Sequence, residues 1–416
     1  MIDIIIGGGI SGLSYALFNQ NKSLIIERES ELGGYCRSIK RNGFVWDFSG
    51  HFFHFRNKDV KKIMLSHIKG KVLDVQKKTS IYYNTKLIDF PFQANIHQLP
   101  ADEFLKCLVD LFEEDSNKKK INSFKDFIIN KYGQSICDKF LIPYNEKLYA
   151  TDLNNLDWKA MGRFFPSVSK ENIVRSFGRK KVSSYNDVFT YPKEGAEAYV
   201  QSIVSQVKNT SYKMNTAVTK INTKKKIVYL NSGEKINYNN LITSTPLPKL
   251  LELCNIKFNK KNFTANKVCV FNIGFDKKST HNDHWIYFPS KKISFYRVGF
   301  YDNIFNSNKM SLYVEIGVPE NKIIDSKMLY KKIIHDLKTV DIISNQKVVD
   351  FEYLEMNPAY VHITKKSEKQ KKKFQKQLEK NNIYSIGRYG DWKYCSIEDN
   401  ILQSKDLNRK LSNRLK

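Results

Sequence analysis

At 416 residues the chain is too long for one simple core and predicts two or three domains. Its hydrophobic content of 41% and aromatic content of 13% exclude wholesale disorder. The 69 Lys and Arg against 42 Asp and Glu leave a net charge of +27, which fits either an anionic partner or a lysine-rich solvated surface.

The run IDIII (2–6) ends in glycines and predicts a buried strand, followed by a helix over 10–20 and a second strand, SLIIE, over 23–27. A helix over 57–68 and short alternating strands over 71–92 come next. From about 99 to 165 the apolar spacing turns helical, in FLKCLVDLFEE, SFKDFIINKYG and SICDKFLIPYNEKLY. NYNNLITSTP (237–246) reads as an inner strand broken by proline. Strands dominate again in VCVFNIGF (268–275), WIYFP (285–289), ISFYRVGFY (293–301) and MSLYVEIG (310–317). Residues 363–380 predict a basic, exposed helix, NIYSIG (382–387) a late strand, and 398–416 a closing helix. A nucleotide-binding domain whose first and last strands lie at opposite ends of the chain explains this order.

The lysine runs Lys118–Lys120, Lys224–Lys226 and Lys371–Lys373 are scattered, which favours the solvated-surface reading and leaves room for a weak attraction to membrane surfaces. Six cysteines stand far apart with no CxxC and no metal-like pairing with histidine, a pattern that fits a reducing cytosol. No apolar run approaches the ~20 residues of a membrane span, and the N-terminus does not read as a signal peptide. The expectation is a soluble cytoplasmic enzyme with no metal and no nucleic-acid partner.

GGGISG (7–12) matches GxGxxG through Gly7, Gly9 and Gly12, between a strand and a helix, with Glu27 about 20 residues on. Glycines there permit the tight turn, the close approach of a pyrophosphate and the packing of helix on strand, and the acid takes ribose hydroxyls. ELGGYCRS (31–38) then adds a second glycine pair and Arg37, and NGFVWDFSGHFFHF (42–55) ends in another Gly-His stretch. This extended arrangement resembles the FAD enzymes that include amine oxidases, protoporphyrinogen oxidases and sugar mutases. NTAVTKI (215–221) is similar to their adenine-contacting segment, with Val218 at the contact.

Three further stretches are similar to the UDP-galactopyranose mutase family: PYNEKLYATDLNNLDWKAMGR (143–163), SFYRVGFY (294–301) and GRYGDWKY (387–394). The resemblance implies an α/β fold with a discontinuous Rossmann-like FAD-binding domain (1–75, 195–265 and 365–416). A helical insertion (98–165) and an antiparallel sheet substrate domain (76–97, 166–194 and 266–364) complete it. It implies catalytic roles for Arg163 and Arg297 on a substrate diphosphate, for Tyr394 on a substrate phosphate and for His51 beside the flavin. Tyr144, Tyr149, Tyr185 and Tyr360 would contact substrate. The cofactor set is Gly7, Gly9, Ser11, Gly12, Glu27, Arg28, Gly33, Gly34, Arg37, Gly50, Val218, Arg388 and Asp399.

The implied activity is an interconversion of pyranose and furanose forms of a UDP-hexose, in which N5 of reduced FAD attacks the sugar, with NAD(P)H as reductant. A diphosphate leaving group asks for arginine forks and phenolic donors, and a cofactor nucleophile makes a Ser/His/Asp triad unnecessary. Other readings stand beside these. His51 can be a structural hydrogen bonder, Arg163 and Arg297 solvent-facing cations, and Tyr360 a core aromatic. YPKEGAEAYVQSI (191–203) resembles the amine oxidase and desaturase side of the group, whose members would oxidise an amine, terpenoid or modified sugar. A binding protein that uses its basic surface on a polyanion is a third class.

Overall fold

The computed structural model describes residues 2–113, 120–178 and 187–413. Ile4, Ile5, Leu24, Ile25 and Ile26 are buried, as expected of inner parallel strands covered on both faces. Ile2–Ile6 pairs in parallel with Ser23–Ile26 on one side and with the far half of Lys235–Thr243 on the other. Thr210–Lys213 extends the sheet beyond Ser23–Ile26. The late strand Ile383–Ser385 closes it in parallel with Lys235–Thr243, Leu241 opposite Ile383. The near half of Lys235–Thr243 forms an antiparallel meander with Ile227–Leu230 and Val218–Asn222. The two ends of the chain thus meet in one Rossmann-like sheet, the expected α/β architecture.

The second sheet has seven strands in the order Val348–Met356, Asn266–Phe275, Ser311–Pro319, Arg297–Phe300, Trp285–Tyr287, Thr79–Tyr83 and Lys86–Asp89. Every pairing is antiparallel except that of Trp285–Tyr287 with Thr79–Tyr83. One expectation is corrected here. The strand predicted over 293–301 begins only at Arg297: Tyr296 still bonds Glu315 O and Phe288 N–H, but over 293–295 backbone groups go to side chains instead of a neighbouring strand. Ser294 N–H goes to Asp336, and the carbonyls of Ile293 and Phe295 go to Lys147.

The helical layer runs through Ala101–Glu113, Phe124–Ile136, a π-helical turn over Cys137–Leu141, and Ile142–Tyr149. The basic helix Lys365–Glu379 is not wholly exposed: Lys371, Phe374 and Leu378 lie on a buried face. Thr364 and Ser367 close a capping box at its start. Among the described residues no helix is long and apolar enough to cross a membrane.

Candidate functional site

Two surfaces make the site, and the first is a glycine cradle. Gly9 forms a parallel bridge to Gly33, and Gly33 N–H bonds Gly8 O at 2.8 Å, so GGGISG and LGG lie side by side. A Cβ on Gly12 would overlap the Gly7 carbonyl oxygen, so only glycine lets Ile10–Phe18 pack this closely on its strand. That helix starts at Gly9 with no side-chain cap and no acid in its first turn. Its leading N–H groups and positive dipole end are left for an anion. Glu27, buried at the end of its strand, accepts Gly8 N–H at 2.6 Å and Glu29 N–H at 3.0 Å. Asn215 and Thr216 donate their N–H groups to the Glu29 and Glu27 carbonyls, which brings the segment leading to Val218 beside the acid. Arg37 donates to Gly34 O at 3.0 Å and lies over the Phe48 ring. Arg28 does not join: its side chain is 74% exposed and pairs with Glu29.

The C-terminal signature GRYGDWKY closes over this cradle. Gly387 sits on Ser11, where a Cβ would strike the Ser11 hydroxyl. Tyr389 meets the edge of Tyr35 of the LGGY stretch at 5.9 Å. Trp392 turns into the core against Phe263. Arg388 lies over the rings of Tyr360 (4.9 Å) and Tyr394 (4.6 Å), and its Nε is buried without a partner.

The second surface is a phenol-lined wall from the antiparallel sheet and the helical layer. Arg297 gives Nε and Nη2 to the two oxygens of Glu315, each at 2.7 Å, and Ser49 donates its hydroxyl to the same carboxylate. Glu315 is fully buried. Burial pushes its pKa up, but the Arg297 charge and hydrogen bonds more than offset that and hold it below the usual carboxylate value. Burial likewise works against the Arg297 cation, and Glu315 overcomes it. Both groups are therefore charged near neutrality.

Tyr144 meets Tyr287 at 5.1 Å and Tyr296 at 6.1 Å, both edge-on. Tyr360 stacks on Tyr394 at 5.8 Å and takes Tyr149 edge-on at 5.6 Å. Tyr149 itself is 1% exposed and stands behind Tyr360. Burial raises the pKa of Tyr144, Tyr149 and Tyr360, so all three are protonated donors. Tyr185 lies outside the described residues.

His51 sits between the two surfaces. A Cβ on neighbouring Gly50 would collide with the Tyr313 hydroxyl, so the loop passes as close to the sheet as a bare backbone allows. Burial lowers the His51 pKa to about 4; the Arg388 and Arg297 charges add to this while Glu315 opposes it. His51 is thus neutral at physiological pH. Its Nδ1, with the hydroxyls of Tyr149 and Tyr313 and Nε of Arg388, is buried and unpartnered. Orphaned polar atoms are rare in finished cores and gather where a ligand completes the bonding.

Arg163 is elsewhere than beside Arg297. It is 42% exposed, ion-paired to Asp399, with its guanidinium over Phe164. Phe164 in turn meets Tyr394 edge-on at 5.0 Å. Asp399 bonds Ser396 N–H and hydroxyl at 2.8 Å each, the capping box of Ile397–Ser412. Burial acts to raise its pKa, and the Ser396 and Arg163 contacts bring it below the ordinary value. No cluster of metal-binding side chains exists among the described residues.

Sequence reasoning missed Glu315, Ser49, Tyr287, Tyr296 and Tyr313. Glu315 had left a signal: an acid inside the apolar strand MSLYVEIG must be paired if that strand is buried.

Comparison with known proteins follows the same lines. Residues 5–66 match the family model of an NAD(P)-binding Rossmann-like domain. A crystal structure of reduced UDP-galactopyranose mutase superposes with a TM-score of 0.92 at 22% identity, covering 99% of this chain and 94% of that one. The fold is that of UDP-galactopyranose mutase. A protein from Exiguobacterium sp. 255-15 named for protoporphyrinogen oxidase activity shares the mutase fold less closely, with a TM-score of 0.78 at 14% identity over 99% of this chain and 98% of that one. Coproporphyrinogen III oxidase of Bacillus subtilis (strain 168) is 21% identical over 331 residues, 68% of each chain. The mutase architecture is thus shared with oxidases, and chemistry has to be argued from the site.

Proposed function

We propose that the protein is an FAD-dependent nucleotide-sugar mutase that interconverts pyranose and furanose forms of a UDP-hexose, with NAD(P)H as the source of reducing equivalents. The observation that carries this reading is Arg297, set beside the phenol-lined wall with Nε and Nη2 held by the buried Glu315 and Nη1 outside that pair. Two arginines, Arg297 and Arg163, with phenolic donors suit a diphosphate that gains charge as it leaves. An oxidase needs no such clamp.

The cradle fits FAD. Gly7, Gly9, Gly12 and the uncapped helix start would hold its pyrophosphate, Glu27 its ribose, the Val218 segment its adenine, and Gly33, Gly34, Arg37 and Arg388 its middle. Bound and reduced, it supplies the nucleophile and the electron pair for opening and closing the anomeric bond, with no net redox change.

The chain's own groups do the rest. Glu315 takes Nε and Nη2 of Arg297 and leaves Nη1 for an anion. A fork held in this way loses little freedom on binding phosphate. The half-buried phenols of Tyr144 and Tyr360 donate without adding charge. Neutral His51 can accept or donate at either ring nitrogen without bringing a cation to the ring of the cofactor. Arg163, on an exposed stretch, would exchange Asp399 for the substrate diphosphate.

The test is binding to the reduced protein. UDP should bind at least about tenfold more tightly than uridine, since charge-assisted bonds to two arginines are each worth more than 1.4 kcal/mol. Equal affinity for UDP and uridine would overturn the reading. The alternative is an FAD-dependent oxidoreductase acting on an amine, terpenoid or modified sugar. It rests on the Bacillus subtilis oxidase relative and predicts hydrogen peroxide or another reduced acceptor during turnover.

A further inference from the structure

The helix Ile142–Tyr149 meets the loop 288–296 through the exposed Glu146–Lys291 pair, the Tyr144–Tyr296 ring contact and, beneath them, Lys147. Lys147 Nζ donates to Phe288 O at 2.8 Å, to Ser290 O and Ile293 O at 2.9 Å each, and to Phe295 O. An ammonium has three donors, so four convergent carbonyls saturate it. Loop carbonyls ordinarily turn to water; these turn inward around a single charge. On the opposite side Ser294 N–H goes to Asp336, on the helix Ser326–Thr339, at 2.8 Å. The loop is gripped from two layers, its carbonyls by a cation and its amide by an anion.

The position of the grip gives it a consequence. Tyr144 precedes Lys147 by three residues and shares its side of the helix. Its ring rests against Tyr287, the last strand residue before the loop, and Tyr296, the loop's last residue before Arg297. Tyr287 and Arg297 face each other in register at the foot of the loop. The four carbonyls therefore hold the helix carrying Tyr144 to the two legs that carry Tyr287 and Arg297.

We propose that Lys147 is a positioning residue: by tying Ile142–Tyr149 to loop 288–296 it sets the gap between Tyr144 and Arg297, and hence the fit of the nucleotide-diphosphate end of the substrate. This rests on the function proposed above. Burial draws the Lys147 pKa down to about 7 and Asp336 opposes that. The charged groups nearby are Asp336, itself paired to Lys332 at 3.2 Å, and at the rim of the same small cavity Glu146, ion-paired to Lys291, and Asp152. Loss of the proton removes one donor from the four carbonyls, so the grip is strongest at and below neutral pH.

The experiment combines amide hydrogen exchange with steady-state kinetics on flavin-loaded wild type, Lys147→Met and Lys147→Gln. The glutamine variant keeps two donors in case the methionine variant folds poorly. Exchange over 288–296 should speed up in both variants while the Rossmann-like sheet is unchanged. KM for the nucleotide sugar should rise about tenfold, the equivalent of 1.4 kcal/mol, with kcat within about threefold. Wild-type KM should climb as pH passes about 7, and that step should be missing in Lys147→Met. Unchanged exchange in the loop, or a fall in kcat with KM unaltered, would overturn the proposal. A wild type that neither binds UDP nor turns over would sink the proposed function instead, and the exchange result would still report on the grip.

Discussion

Replacing Arg297 by methionine should abolish turnover and destabilise the protein together, and adding Glu315→Gln should restore stability without activity. Glu315 is fully buried and Arg297 is its only cation within ion-pair distance among the described residues. Removing one partner of such a pair strands the other charge, at a cost of about 3–5 kcal/mol. The double variant removes both charges and should recover most of that loss in chemical denaturation. Activity should not return, because the diphosphate would still lack its fork; a drop in kcat/KM of roughly 10²–10³ is expected in both variants. Recovery of activity in the double variant would mean that Arg297 serves only the fold.

The second large effect concerns Arg388. In Arg388→Ala the protein should purify with well under one flavin per chain by its visible absorbance, and activity should fall in proportion. The reason is position. Arg388 follows Gly387, which rests on Ser11 at the uncapped helix start, and its buried Nε has no protein partner. Arg388→Lys keeps the charge but loses the flat guanidinium that lies across two tyrosine rings, so it should retain flavin only in part. Full flavin content with lost turnover would move Arg388 from cofactor to substrate.

Much of this was legible in the sequence for local reasons. Apolar runs with glycine ends mark the inner strands, and GxGxxG with Glu27 marks the cradle, because each needs particular residues at fixed spacing. GRYGDWKY stood out by its resemblance to a family stretch, and the structure lays its Gly387, Tyr389 and Tyr394 on Ser11, Tyr35 and Tyr360. Pairings across long separations were not legible. Arg297 with Glu315 and Ser49, and Arg163 with Asp399, join residues as much as 248 positions apart. No periodicity carries that information. The strand over 293–301 was misread for a related reason: Ile293 and Phe295 look like strand residues, but Lys147 and Asp336 occupy backbone groups of 293–295 that a strand would use.

The most direct test of the central claim is anaerobic incubation of dithionite-reduced protein with UDP-galactopyranose and related nucleotide sugars, followed by chromatography and mass measurement. The account predicts an isomer of equal mass that forms with reduced protein and not with the air-oxidised control. No isomer from any nucleotide sugar, together with hydrogen peroxide or a product two mass units lighter in air, would contradict it and place the protein among the oxidases.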